Sequence, residues 1–321
     1  MFAQVLIPML IGPWIGAAAI SGDFSYDVGN VLVPDGITSM AAAKLMKEDS
    51  KIVDSYNMNY SIEKTTENVS ARVLKGDVDV AVVPSNLAAT QYNKDAGYVI
   101  AGTVTWGSFY LVSTDGVKTL DDLKGQEIYN VGKGLTPDIT MQSILKDKGY
   151  DPTKDYNFSY VDNATDLVPV LTSGKAKYAV IPEPALTGVR AKMPELKVVM
   201  DLNKEWKSLN NSEYGYPQAA LIVKKDLVEN DKKFIDELLK KFEESCKFAN
   251  DNAEEMASYC EELGVTAKKP VIQKAVSDAN INFVAIKDCT KEYETYFNKL
   301  KDFNAKTIGG KVPDDAVFME K

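Results

Sequence analysis

The chain has 321 residues, enough for two domains with separate cores, and a net charge of −9 with only two arginines, Arg72 and Arg190. With no concentrated basic face, nucleic acid is excluded as a partner. There is no histidine, which removes Ser-His-Asp and Cys-His catalysis and most zinc or iron ligand sets.

Three cysteines, Cys246, Cys260 and Cys289, lack CxxC spacing, so metal and redox motifs are absent and no cofactor or metal is expected. The odd total leaves at least one thiol free. Cys246 and Cys260 could approach across a helical hairpin, or all three could be plain buried helix residues.

Phe2 to Ile20 is uncharged and almost wholly apolar, and ends in the small-residue run Ala17-Ala18-Ala19-Ile20-Ser21. Residues 1–30 read as a leader and polar tether of an exported protein, despite the missing basic start and the breakers Pro8, Gly12 and Pro13. A buried N-terminal segment and a membrane anchor are the alternatives. No cysteine follows the small residues, so no lipid attachment is signalled.

Val31-Leu32-Val33 is a short buried strand, turned by Pro34-Asp35-Gly36 into a helix capped by Thr38 or Ser39 and running to about Glu48. A strand over 56–62 follows, then a helix opened by Thr65-Thr66 and stopped at Gly76. Val78–Val83 is a buried strand, and a short helix starts near Ser85. The strand over 98–105 is interrupted at Trp106-Gly107-Ser108 before Phe109–Ser113. A second round brings strands at 128–131, 157–161, 178–181 and 197–200, with helices from about 136, 165 and 183. After Tyr214-Gly215-Tyr216-Pro217 comes one more apolar strand, 218–223. The rest is mainly helical, with Ile235, Leu238, Leu239, Phe242, Cys246 and Ala249 on one face.

The second round repeats the first. Leu74-Lys75-Gly76-Asp77-Val78-Asp79-Val80-Ala81 is echoed by Thr172-Ser173-Gly174-Lys175-Ala176-Lys177-Tyr178-Ala179, with Gly76 and Gly174 98 positions apart. Gly36 and Gly134 share that shift. The expected fold is therefore α/β and two-lobed, each lobe a mostly parallel sheet flanked by helices, with two hinge crossings. Lobe one comprises 31–113 plus 217–321, and lobe two (114–216) is inserted. Paired carboxylates such as Asp77/Asp79 read as solvated turn residues.

In such sheets ligands bind beyond the carboxyl ends of the strands. The candidate ligand-binding residues are therefore Asp35, Gly36, Ile37, Thr38, Ser39, Thr65, Thr66, Ser85, Asn86, Thr105, Trp106 and Gly107 in lobe one. In lobe two they are Lys133, Gly134, Leu135, Thr136 and Glu183, with Tyr214 and Tyr216 near the hinge. Trp106 and one of the two tyrosines could stack on a flat ligand, or fill the hinge core. Gly132-Lys133-Gly134 lacks the spacing of a nucleotide phosphate loop. One lysine among hydroxyls, helix N-termini and aromatics suits a small organic molecule with an apolar body and one polar or singly charged end, such as a sulfonate or a substituted pyrimidine.

Strand–Pro-Asp-Gly–helix, the Leu-Lys-Gly-Asp-Val-Asp-Val-Ala run with Pro-Ser-Asn (84–86), Thr-Leu-Asp-Asp-Leu-Lys-Gly (119–125), Val-Gly-Lys-Gly-Leu-Thr-Pro-Asp (131–138) and Ile-Pro-Glu-Pro (181–184) together resemble the substrate-binding proteins of ABC importers. The similarity extends over roughly residues 31 to 262 and is greatest to the group serving nitrate, sulfonates, taurine and thiamine-precursor pyrimidines. It implies a monomer of the periplasmic-binding-protein type II fold. It also implies closure about a hinge, capture outside the cytoplasm, and delivery to a permease–ATPase pair without catalysis. The alternative is an enzyme on the same scaffold, of the thiamine-precursor or menaquinone-pathway type, acting through a cleft carboxylate (Asp35, Glu67 or Glu183). The pyrimidine synthase of that kind would need a histidine.

Overall fold

In the computed structural model the described residues are 28–320, apart from Ser55 and Lys118. The expected leader, 1–27, lies outside them. Eleven strands are described: β1 (Val28–Pro34), β2 (Asn57–Glu63), β3 (Val80–Pro84), β4 (Tyr98–Trp106), β5 (Phe109–Ser113), β6 (Glu127–Val131), β7 (Asn157–Val161), β8 (Tyr178–Pro182), β9 (Lys197–Asp201), β10 (Pro217–Lys224) and β11 (Ile281–Ala285). They form a six-stranded sheet ordered β11-β4-β10-β3-β1-β2 and a five-stranded sheet ordered β7-β6-β8-β5-β9.

The repeat in the sequence is a repeat of topology. β2, β1 and β3 run parallel, and β10 closes against β3 antiparallel. In the second sheet β7, β6 and β8 run parallel, and β5 closes against β8 antiparallel. Gly76 and Gly174, at φ 74° and 75°, stop the helix before β3 and the helix before β8. A side chain with a Cβ would be strained at that left-handed turn.

β3 shows why its apolar run is continuous. Successive side chains of a strand point to opposite faces, and both faces are covered. Val80 and Val82 join the cluster that includes Phe234, Leu238 and Phe242 of the helix Lys232–Asp251. Ala81 and Val83 join the one that includes Tyr293, Tyr296 and Phe297 of the helix Ile286–Asn304.

Three expectations change. β5 pairs with β8 and β9, so Phe109–Ser113 belongs to the second sheet and the first crossing falls at Gly107-Ser108. The apolar residues Phe109 to Val112 suit either sheet, and pairing with β8 and β9 decides. Second, the C-terminal helix does not keep to the first sheet. Its Tyr296 hydroxyl reaches Thr140 at 3.5 Å and its Lys299 pairs with Asp147 at 2.6 Å, both on the helix Thr136–Asp147. Third, Asp79 is not solvated. It is 4% exposed, pairs with Lys224 on β10 at 2.9 Å and accepts from the Asn30 amide on β1 at 2.8 Å.

Cys246, Cys260 and Cys289 are all free and buried, so Cys246 and Cys260 do not pair. Among the described residues no helix is long and apolar enough to cross a membrane.

Candidate functional site

Between the carboxyl edges of the two parallel strand sets lies a cleft of about 800 Å³. The loop after each of those six strands contributes: Asp35 to Thr38 after β1, Lys64 to Thr66 after β2, Asn86 and Leu87 after β3. Leu135 to Pro137 follow β6, Asn163 to Thr165 follow β7, and Glu183 to Ala185 follow β8. Phe109, Gln218 and Ala219 come from the crossings, Thr266, Ala267 and Lys268 from the loop between the helices Ala253–Glu262 and Lys269–Ala275, and Val271 from the second of these helices.

Four helices longer than two turns begin at this cleft: Thr66–Lys75, Ser85–Asn93, Thr136–Asp147 and Ala164–Thr172. Each directs the positive end of its dipole there. The first turns are not all free. Thr65 Oγ1 accepts from the Asn68 amide, and Asn163 forms a capping box with Asp166. Thr136 donates from its hydroxyl to Asn86 Oδ1 at 2.9 Å, and Asn86 Nδ2 donates to the Thr307 carbonyl. Thr38 and Ser39 both spend their hydroxyls on the Pro34 carbonyl, which tightens the turn after β1. Asp35 accepts from the Thr266 amide at 3.1 Å.

Glu183 stands apart. It is 2% exposed, and its Oε2 accepts from the Thr187 amide at 3.1 Å, while Oε1 has no hydrogen-bond partner among the described residues. Burial pushes its carboxyl up to about 7; the Thr187 bonds and Arg190 oppose this, and Asp278 adds to it. The charged side chains lining the cleft are Asp35, Lys64, Glu183 and Lys268. Neither arginine is among them: Arg72 is held by Glu63 and Asp77, and Arg190 by Asp278.

Of the expected residues, Asp35, Gly36, Ile37, Thr38, Thr65, Thr66, Asn86, Leu135, Thr136 and Glu183 meet at the cleft. The others do not line it. Ser39 is turned to the Pro34 carbonyl, while Ser85 and Thr105 are buried. Gly134 donates its amide to Asp138 at 2.8 Å, and the Lys133 ammonium lies over the Tyr160 ring.

The aromatics fill the hinge core. Trp106 is 2% exposed, donates Nε1 to the Asn282 carbonyl at 3.0 Å and stacks on Tyr214 at 4.9 Å. That pair faces a separate cavity of about 310 Å³, lined also by Asn250, Asn280 and Asn282. Tyr216 is fully buried between Trp206 and Tyr296. Gly107 lies against it so closely that any Cβ would run into the Tyr216 ring. No ring face of Trp106 or Tyr216 is left for a ligand in the cleft.

Sequence reading missed Lys64, Asn163, Thr165, Gln218 and Lys268. For Asn163 a signal existed, because it stands 98 positions after Thr65 and opens an Asn-x-x-Asp cap. Lys268 precedes the helix Lys269–Ala275, in a part of the chain with no counterpart in the repeat.

The comparisons with known proteins fit this geometry. An ABC transporter from Parabacteroides distasonis is 25% identical, with 92% of this chain and 99% of that one covered and a TM-score of 0.80. The periplasmic aliphatic sulphonate binding protein SsuA from Escherichia coli is 14% identical, with 92% of each chain covered and a TM-score of 0.76. The periplasmic nitrate-binding protein NrtA from Synechocystis PCC 6803 is 13% identical, with 91% and 87% covered and a TM-score of 0.65. The resemblance to substrate-binding proteins of ABC importers thus extends through the two-lobed fold. No curated protein matches the chain. Residues 51–302 match the family described as menaquinone biosynthesis, and on a match of that extent the chain belongs to this family.

Proposed function

We propose that the protein is an extracytoplasmic solute-binding component of an ABC importer. It captures a small organic molecule between its lobes and delivers it to a permease–ATPase pair. The observation that carries this reading is the cleft itself: about 800 Å³, walled by Ile37, Val83, Leu87, Phe109, Leu135 and Val168, with four helix N-termini at its edge and no arginine. Such a site suits an apolar body with one polar or singly charged end. Phosphate would call for a bidentate arginine or a lysine cluster. Sulfonates and substituted pyrimidines are the ligand classes that fit. The test is a thermal-shift screen of the purified protein against both classes, with phosphate and nitrate alongside. At a hundred times its dissociation constant a ligand adds about 2.7 kcal/mol of stability. A shift with phosphate or nitrate alone would overturn the reading.

A second reading, catalysis in the cleft, is favoured by one observation: a buried carboxyl raised to about 7 has the proton affinity of a general acid or base near neutral pH. Membership of a family described as menaquinone biosynthesis agrees with it. Mass spectrometry of each binding compound after incubation separates the two. Unchanged compounds support capture, and conversion that stops in Glu183→Gln supports catalysis.

A further inference from the structure

We propose that Glu183 is the specificity-determining residue of the cleft: on a turn of its side chain, the carboxylate oxygen left without a partner takes a hydrogen bond from an N–H or O–H group of the ligand. The site thereby selects small organic anions that carry such a donor over equivalents that lack one. This inference rests on the capture reading and adds to it which ligands are chosen.

Two independent observations meet here. The four helix N-termini present positive potential to the cleft. Glu183 lies in the same lining, almost fully buried, with one oxygen satisfied by Thr187 and the other by nothing. A buried polar atom without a partner is costly and is rarely retained without a use. No cation among the described residues satisfies it. Arg190 is engaged by Asp278, and the Tyr110 hydroxyl on β5 donates to the Asp278 carbonyl. These three are the titratable groups that act on Glu183 from the elements around it. The remaining charged groups of the cleft are Asp35, Lys64 and Lys268. Without ligand, burial keeps a proton on the carboxyl up to about pH 7. A ligand donor replaces that proton, so the bound form is the ionised one. An analogue without the donor leaves the oxygen orphaned, and a site built this way rejects it.

Calorimetric titration of the full chain with matched pairs tests the proposal: 2-hydroxyethanesulfonate against ethanesulfonate, and hydroxybenzoate against benzoate. In a pair that binds, the donor-bearing member is expected to bind about tenfold tighter or more. That preference should grow from about pH 5.5 to about pH 8, as the proton it displaces becomes easier to remove. Glu183→Leu should erase the preference. Should Glu183→Leu fail to fold, Glu183→Gln keeps an acceptor for the Thr187 amide and should retain binding with no pH dependence. Equal affinities within every binding pair, a preference that survives in Glu183→Leu, or the same pH profile in Glu183→Gln would each overturn this inference alone. Failure of all four compounds to bind, together with failure of every sulfonate and pyrimidine in the thermal-shift screen, would overturn the capture reading and this inference with it.

Discussion

The hydroxyl of Thr136 donates to the side-chain amide oxygen of Asn86 at 2.9 Å, and both residues are buried. Asn86 is in the first turn of the helix that follows β3, and Thr136 opens the helix that follows β6. One hydrogen bond therefore joins the two sheets at the edge of the cleft they share. Thr136→Val preserves shape and removes the donor. It should cost about 1 kcal/mol in urea denaturation, and small-angle scattering of the unliganded variant should show a larger radius of gyration. An unchanged radius would mean that the bond does not hold the lobes together.

Glu183 should make stability depend on pH in a direction unusual for a carboxylate. Its folded value, about 7, lies above the reference of 4.5, so the native state binds its proton more tightly than the unfolded state does. Its contribution is present in full below about pH 4.5 and is lost as pH rises towards 7. The loss amounts to at most roughly 3 kcal/mol. Glu183→Gln cannot titrate. Its stability relative to wild type should therefore rise between about pH 5 and pH 8 in matched urea melts, and a constant difference would contradict the raised value.

Asp79 predicts a structural loss far from the cleft. It holds the Lys224 ammonium and the Asn30 amide together, and so ties β1 and β10 to the start of β3. Asp79→Ala leaves a half-buried ammonium without its partner, which should cost about 3 kcal/mol. The affinity of any compound found in the thermal-shift screen should be unchanged, because none of these residues lines the cleft.

Trp106 gives the complementary case. Trp106→Ala removes the ring that stacks on Tyr214 and should destabilise the fold by about 3 kcal/mol or more. Calorimetry at a temperature where the variant remains folded should still find wild-type affinity. A specific loss of binding would place the ring at the ligand after all.

How much of this was legible beforehand follows from what each signal encodes. The shared offset of 98 encodes a chain path, and β3 and β8 fall on it to the residue, from Val80 to Tyr178 and from Pro84 to Pro182. Turn chemistry encodes where a loop begins, so Asp35, Thr65 and Glu183 could be placed at a strand's carboxyl end. Neither signal encodes where a side chain turns afterwards. Trp106 and Tyr216 sit at the crossings as expected, yet their rings face the hinge core. The same limit applies to β5, whose apolar residues Phe109 to Val112 suit either sheet until the partner strand is known. The expected helix to Glu48 is divided at Ala42 into Ile37–Ala41 and Ala43–Glu48, a break that no proline or glycine announces.

The helix Ile286–Asn304 has a consequence for how the molecule melts. Its Tyr296 lies against Trp206 and Tyr216 while Tyr293 and Phe297 join the apolar cluster that holds Leu32 of β1 and Ile128 of β6. Each of the two repeated units keeps an apolar cluster of its own, and the largest cluster is common to both. Neither half can shed its part of that common cluster without stripping the other's, so heating should give a single calorimetric transition with equal van't Hoff and calorimetric enthalpies. A chain that looks like two domains in series should come apart as one cooperative body.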